Sequence, residues 1–175
     1  MKYSKIIISG KRCSGKTTLL WDLQKEVTWP MFSIGQYLRD YIHRYNLTPE
    51  QIEEQSAKVS YDLDDRIEAL LNGPDHVIVD ARIYGRFRTI PEDTCSLLLT
   101  CDDRVRVQRA AYREKTSVEK QEHRLIKREN AWIERMNKLY DIDDFFKPSY
   151  YTAHIDTTGL AADEVLRQTM SILSP

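Results

Sequence analysis

The sequence predicts an α/β fold: a three-layer sandwich in which a five-stranded parallel sheet carries helices on both faces. Three observations predict it. Short apolar runs alternate with longer stretches of helical character along the chain, the pattern of βαβ units. Two of the runs, His76-Val77-Ile78-Val79-Asp80 and Cys95–Thr100, are continuous rather than alternating, as strands covered on both faces require. A glycine-bracketed loop, Gly10-x-x-x-x-Gly15-Lys16-Thr17, joins the first apolar run to a helical pattern carrying Leu19, Leu20 and Leu23.

The elements follow in order. Lys5–Ser9 is β-branched and apolar and reads as the first strand, with a short second strand at Met31–Ser33. The stretch from Gln36 to Asn72 is helical and highly charged, an insertion of two or three short helices. Within it Thr48 is a helix cap, Pro49 a first helical residue, and Gln51 the reciprocal member of a capping box. Asn72-Gly73-Pro74 is a stop signal. Strands three and four are expected at His76–Asp80 and Leu97–Cys101, separated from the last strand, Tyr151–Ile155, by a helical stretch from Asp102 to Phe146. Asp156-Thr157-Thr158 would cap the final helix. The expected organisation is one domain over 1–175. Its core comprises 1–35, 73–101 and 147–175, with a helical insertion at 36–72 and a helical lid at 102–146. Ligands of such sheets bind outside the carboxyl ends of the strands, where every residue singled out below falls.

Composition narrows the function. A chain of 175 residues buries about 70% of its unfolded surface as a single domain. Hydrophobic residues make up 41% and charged residues 30%, and the formal net charge is −1, which gives no footprint for a nucleic-acid polymer or a membrane surface. Lys2 and Lys5 lead into only a short apolar run before Ser9-Gly10, unlike a signal peptide. No run approaches the ~20 apolar residues that span a bilayer. Cys13, Cys95 and Cys101 form no metal pattern and no even framework, which fits a reducing, cytoplasmic setting. A monomer or weak dimer is expected.

The loop carries the chemistry. Gly10 and Gly15 permit backbone angles that a side chain forbids, so the amides of Lys11, Arg12, Cys13, Ser14, Thr17 and Thr18 can turn inward around phosphate oxygens at a helix N-terminus. Lys16 would neutralise the β- and γ-phosphates and the Thr17 hydroxyl would ligate Mg²⁺. This is a phosphate loop of the P-loop NTPase type, set between a strand and a helix as the motif demands; it is specific for that superfamily and not for the substrate. Cys13, near a helix N-terminus and flanked by Arg12 and Lys16, is expected to favour its thiolate.

Between Asp102 and Phe146 the chain interleaves Arg104, Arg106, Arg109, Arg113, Arg124, Arg128 and Arg135 with Glu114, Glu119, Glu122, Glu129 and Glu134. One reading is a solvated hairpin laced with i,i+4 ion pairs. The other is a lid whose arginines close on phosphates, for which the planar guanidinium is suited. A phosphate loop in the same chain favours the lid, because phosphoryl transfer needs cations around the γ-phosphate and exclusion of water.

Over nearly its whole length the chain resembles the nucleoside monophosphate kinases, most of all the cytidylate kinases of the archaeal type. The residues that carry this are Gly10–Thr18, Phe32-Ser33-Ile34-Gly35-x-x-x-Arg39, Val77-Ile78-Val79-Asp80-Ala81-Arg82, Arg109-x-x-x-Arg113-Glu114, Arg128-Glu129-x-x-x-x-x-Arg135, Leu139-Tyr140-Asp141-Ile142-Asp143 and His154–Leu160. The resemblance implies transfer of the γ-phosphoryl of Mg·ATP to CMP or dCMP. It implies that Ser33 and Arg39 hold the acceptor phosphate, that Arg82 grips the acceptor nucleotide, and that Asp80 reaches the Mg²⁺ shell with Thr17. Arg109 and Arg113 would open the lid sequence, Arg128 and Arg135 would reach back toward the phosphates, and Thr157 would lie beside the donor base. Two positions depart from the pattern. Ala81 replaces a usual Gly, and Trp132 replaces an Asp that in relatives bonds the acceptor sugar; a Trp offers only an N–H donor. The alternatives this leaves are another acceptor (UMP, AMP or a non-nucleotide small molecule) and a nucleotide-binding protein without transfer activity.

Overall fold

A computed structural model describes residues 1–48, 56–84 and 89–174. Five parallel strands form one sheet in the order β2-β3-β1-β4-β5: β1 Lys5–Ser9, β2 Met31–Ser33, β3 Val77–Asp80, β4 Thr94–Thr100 and β5 Ala153–Asp156. The helices are α1 Lys16–Val27, α2 Ile34–Tyr45, α3 Ser56–Asn72, α4 Asp103–Glu114, α5 Val118–Tyr140 and α6 Ala162–Leu173, with one 3₁₀ turn at Pro148–Tyr150.

The β1 side chains show why both faces are covered. Ile6 and Ile8 point to one side and pack with Leu19, Leu20 and Leu23 of α1 and with Val165 and Leu173 of α6. Ile7 points to the other and packs with Ile67 and Leu71 of α3, as the twofold alternation of a strand dictates. Strand ends move by a few residues from those expected, because pairing sets them. Lys5 of β1 pairs with Thr94, so β4 begins before Leu97. β5 begins at Ala153, opposite Leu97, rather than at Tyr151. His76 lies outside β3 and stacks instead on Trp29, with ring centroids 4.5 Å apart.

The insertion contains two helices among the described residues. α2 is capped by Ser33, whose hydroxyl accepts from the Gln36 amide at 3.3 Å. The Arg66 guanidinium of α3 lies 5.0 Å from the Phe32 ring centroid and 5.6 Å from that of Tyr37, which ties α3 to α2. α3 stops at Asn72, as Asn72-Gly73-Pro74 predicts. Pro49 and Gln51 of the capping box that Thr48 would begin lie outside the described residues. The stretch from Asp102 to Phe146 is a helical hairpin, α4 and α5, and its helical part ends at Tyr140. One expectation is corrected: α6 is capped by Ala161, with no side-chain bond. Asp156 closes its own turn instead, its Oδ1 accepting from the amide and hydroxyl of Thr158 at 3.0 and 2.6 Å.

Candidate active site

The phosphate loop is shaped before any ligand arrives. Gly10 has φ +145°, and a Cβ there would sit 2.3 Å from the Leu99 carbonyl oxygen, so both the angle and the close approach to β4 require glycine. Gly15 has φ +99°. Lys16 opens α1, and its Nζ donates to the carbonyls of Gly10 and Lys11 at 2.8 and 2.9 Å. Those carbonyl dipoles therefore face a cation and not the space where an anion would lie. Burial, outweighing the nearby Asp80 carboxylate, lowers the Lys16 ammonium to about 8.

Behind the loop stands a buried ion pair. Arg106 and Glu129 are 0% and 2% exposed, and Arg106 Nη2 meets Glu129 Oε2 at 2.7 Å. Both close on the peptide of Arg12: its amide donates to Glu129 Oε1 at 2.9 Å, and its carbonyl accepts from Arg106 Nη1 at 2.8 Å. Burial would lower the Arg106 guanidinium, but its bonds to Glu129 and Asp103 raise it overall. Sequence reasoning counted both residues among the lid's charges and did not pair them with the loop.

Arg109 differs from its expected role. Its guanidinium donates to the Thr157 carbonyl at 2.7 Å and hydroxyl at 3.1 Å, and it does not line the cleft. Thr157 is buried, and its hydroxyl donates to the Ser14 carbonyl at 2.9 Å. The two residues brace the loop from beneath, which follows from the position of Arg109 on the first turns of α4, next to the end of β5. Ser14 is buried in the loop itself.

In front of the loop opens a cleft of about 450 Å³. It gathers Arg12, Cys13, Lys16 and Thr17 from the loop and α1, Arg39 from α2, Asp80 and Arg82 at the end of β3, and Arg113, Arg128, Trp132 and Arg135 from the hairpin. Among the described residues the buried Arg135 Nε has no hydrogen-bond partner, a donor positioned for a ligand. The Arg82 guanidinium lies over the Trp132 ring, 4.1 Å from its centroid. Ser33 does not line the cleft; it donates to Asp80 Oδ2 at 3.0 Å and so orients that carboxylate. Cys13, at φ +61°, packs partly against Val107, Ala110 and Leu125 of the hairpin. The remaining wall is mostly apolar, with Ile34, Leu38 and Ile42 of α2, Val59 and Leu63 of α3 and Met136 of α5, but it also includes Ser60 and Asp64 of α3 and Tyr140 of α5.

Comparison with known proteins agrees with this architecture. A family model described as an AAA domain matches residues 6–137. A cytidylate kinase of Sulfolobus acidocaldarius is 28% identical over 175 residues, spanning 97% of this chain and 94% of that protein. One from Thermoplasma acidophilum is 26% identical over 167 residues, spanning 92% and 87%. Among solved structures, a protein from Eubacterium ventriosum superposes with TM-score 0.74 at 14% identity over 98% of this chain and 99% of that one. A shikimate kinase from Acinetobacter baumannii gives 0.60 at 16%, over 98% and 93%.

Proposed function

The chain belongs to the AAA domain family and is a phosphotransferase of P-loop kinase fold, and on that premise we propose that it transfers the γ-phosphoryl of ATP to a nucleoside monophosphate, CMP or dCMP first. The observation that carries the reading is one cleft that gathers both cations and apolar side chains. Lys16, Arg82, Arg113, Arg128 and Arg135 line it together with Leu38, Ile42, Leu63, Trp132 and Met136, and Ser60, Asp64 and Tyr140 add polar groups. The cations suit phosphates, and the apolar side chains suit the faces of a flat base. The relatives named cytidylate kinase support the pyrimidine acceptor.

The acceptor is itself a phosphate oxygen, so no covalent nucleophile is needed, and catalysis is alignment, charge neutralisation and exclusion of water. Lys16 and the loop amides hold the donor phosphates. Arg39 and Arg82 hold the acceptor, and Arg113, Arg128 and Arg135 surround the transferred group. The residues present fit a Mg²⁺ brought in with ATP. Such an ion keeps several waters and takes one or two carboxylates plus substrate phosphates; Thr17 and Asp80 both line the cleft and would hold its shell. Bound there, it would offset charge on the phosphate oxygens. The test is acceptor-dependent ADP formation with purified protein: CMP and dCMP should stimulate it strongly. Lys16→Ala should remove it by orders of magnitude while the protein still folds.

A further inference from the structure

The first turn of α2 carries a pattern that one of its side chains does not follow. Ser33-Ile34-Gly35-Gln36 has the spacing of a capping box, in which a Gln at the third helical position reaches back to the amide of the cap. Ser33 does its part, accepting from the Gln36 amide at 3.3 Å. The Gln36 side chain turns the other way. Its Oε1 accepts from Arg39 Nη2 at 2.8 Å, and its Nε2 donates to Asp40 Oδ1 at 2.7 Å. Residues three and four ahead on a helix share its face. The two partners also fix which end of the amide is which, because a guanidinium only donates and an ionised carboxylate only accepts. Arg39 is thereby folded back over the start of its own helix, with Nη1 3.5 Å from where a Cβ on Gly35 would stand. Gly35 and Arg39 line the cleft, and Gln36 does not.

We propose that Gln36 is a positioning residue for the acceptor: it holds the Arg39 guanidinium toward the acceptor phosphate without neutralising it. The proposal rests on the nucleoside monophosphate reading above and deepens it. An Arg side chain has many rotamers, and an unrestrained one loses that freedom when it binds a ligand. The bond to Gln36 removes part of that freedom beforehand. A carboxylate at the same position would orient the guanidinium as well, but as an ion pair it would compete with the phosphate for one charge. The neutral amide leaves the charge in place and engages one of the five N–H donors. Asp40 anchors the amide from its far end, so Gln36 cannot turn away from Arg39 without losing both bonds.

The experiment compares wild type with Gln36→Met, which keeps the length and loses both bonds, and Gln36→Glu, which keeps an acceptor for Arg39 and adds a charge. Gln36 is exposed, so neither change disturbs the core. In each protein the KM for ATP, the KM and the calorimetric Kd for the best acceptor among CMP, dCMP, UMP and AMP, and the thermal midpoint are measured. Gln36→Met should raise the KM and Kd for the acceptor about two- to tenfold. Gln36→Glu should raise them roughly tenfold or more. Its thermal midpoint should not fall, because Glu completes the capping pattern and suits the first turn of a helix. The KM for ATP should stay within about twofold in both variants. A merely structural residue would lower the midpoint and shift both substrates together. A general effect of charge would raise the KM for ATP, the more highly charged nucleotide, at least as much as that for the acceptor. Either result, or unchanged acceptor constants in the variants, would overturn the proposal. Weaker acceptor binding in both variants, with no transfer in wild type, would sustain the role of Gln36 and overturn the kinase reading instead. No binding of any of the four monophosphates by wild type would overturn both.

Discussion

Lys16 sits where a change of pH reports directly on the donor site. Burial brings its ammonium down to about 8 in the free protein, and a bound phosphate must raise it again because the anion favours the charged form. Binding of ATP near pH 8 is therefore linked to proton uptake. ATP affinity should be flat between about pH 7 and 7.5, where the phosphates are already ionised, and should fall as pH rises above 8 and the free ammonium deprotonates. Calorimetry in two buffers of different ionisation enthalpy measures the uptake directly; the same heat in both at pH 8 would contradict the assignment. Trp132 is the second informative residue. It lines the cleft and stacks with Arg82, yet its ring offers no acceptor to a sugar hydroxyl. The ratio of specificity constants for CMP and dCMP should not exceed about tenfold, ~1.4 kcal/mol, and Trp132→Asp should increase the preference for ribose. An unchanged ratio with lowered thermal stability would make Trp132 a packing residue alongside Ile83, Met136 and Phe145.

The hairpin is the element whose behaviour the structure refines most. A lid moving as one body from 102 to 146 is the natural expectation from the arginine pattern, but its root is fixed at three places. Arg106 and Glu129 clamp the Arg12 peptide, Arg109 is bound to Thr157, and Met136 packs with Ile83 and Phe145. The segment left to move is the tip, around Glu114, Gln121 and Arg124, joined by polar contacts in which Glu114 accepts from the buried Gln121 and from the exposed Arg124. Amides near the tip should exchange with solvent fastest in wild type, and ATP should slow them. Glu129→Ala leaves Arg106 with the exposed Asp103 as its remaining carboxylate partner beside the Arg12 carbonyl and should cost about 3 kcal/mol. It should also speed exchange at Arg12 and Cys13 while leaving α6 unchanged; uniform loss of protection would mean the pair serves only general stability. None of this could be read from spacing. The i,i+4 pattern announces two helices with charged faces, but Arg106 and Arg109 differ in role only because β5 and the phosphate loop lie beneath them, neighbours distant in sequence. By contrast, the glycines at positions 10 and 15 were legible, since local backbone rules call for them at positive φ.

At the scale of the molecule, the strand order β2-β3-β1-β4-β5 brings the carboxyl ends of β1 and β3 together. The Gly10 amide donates to the Arg82 carbonyl at 3.0 Å, so the phosphate loop and the chain just past the end of β3 are joined by one hydrogen bond. The parallel sheet was evident from alternating apolar and helical stretches. The apolar lining of the cleft was not, because Leu38, Leu63 and Met136 look like ordinary core positions on three separate helices until the fold brings them to one space. The central claim is that this space holds a donor triphosphate and an acceptor monophosphate at once. Its most direct measurement is a single-turnover reaction with ATP labelled in the γ-phosphoryl and excess CMP, the product being separated and identified. The account predicts label in the β-phosphoryl of CDP, formed at a rate that depends on CMP and vanishes in Lys16→Ala. ATP bound by the folded protein, with no label transferred to CMP or to any other nucleoside monophosphate, would contradict it.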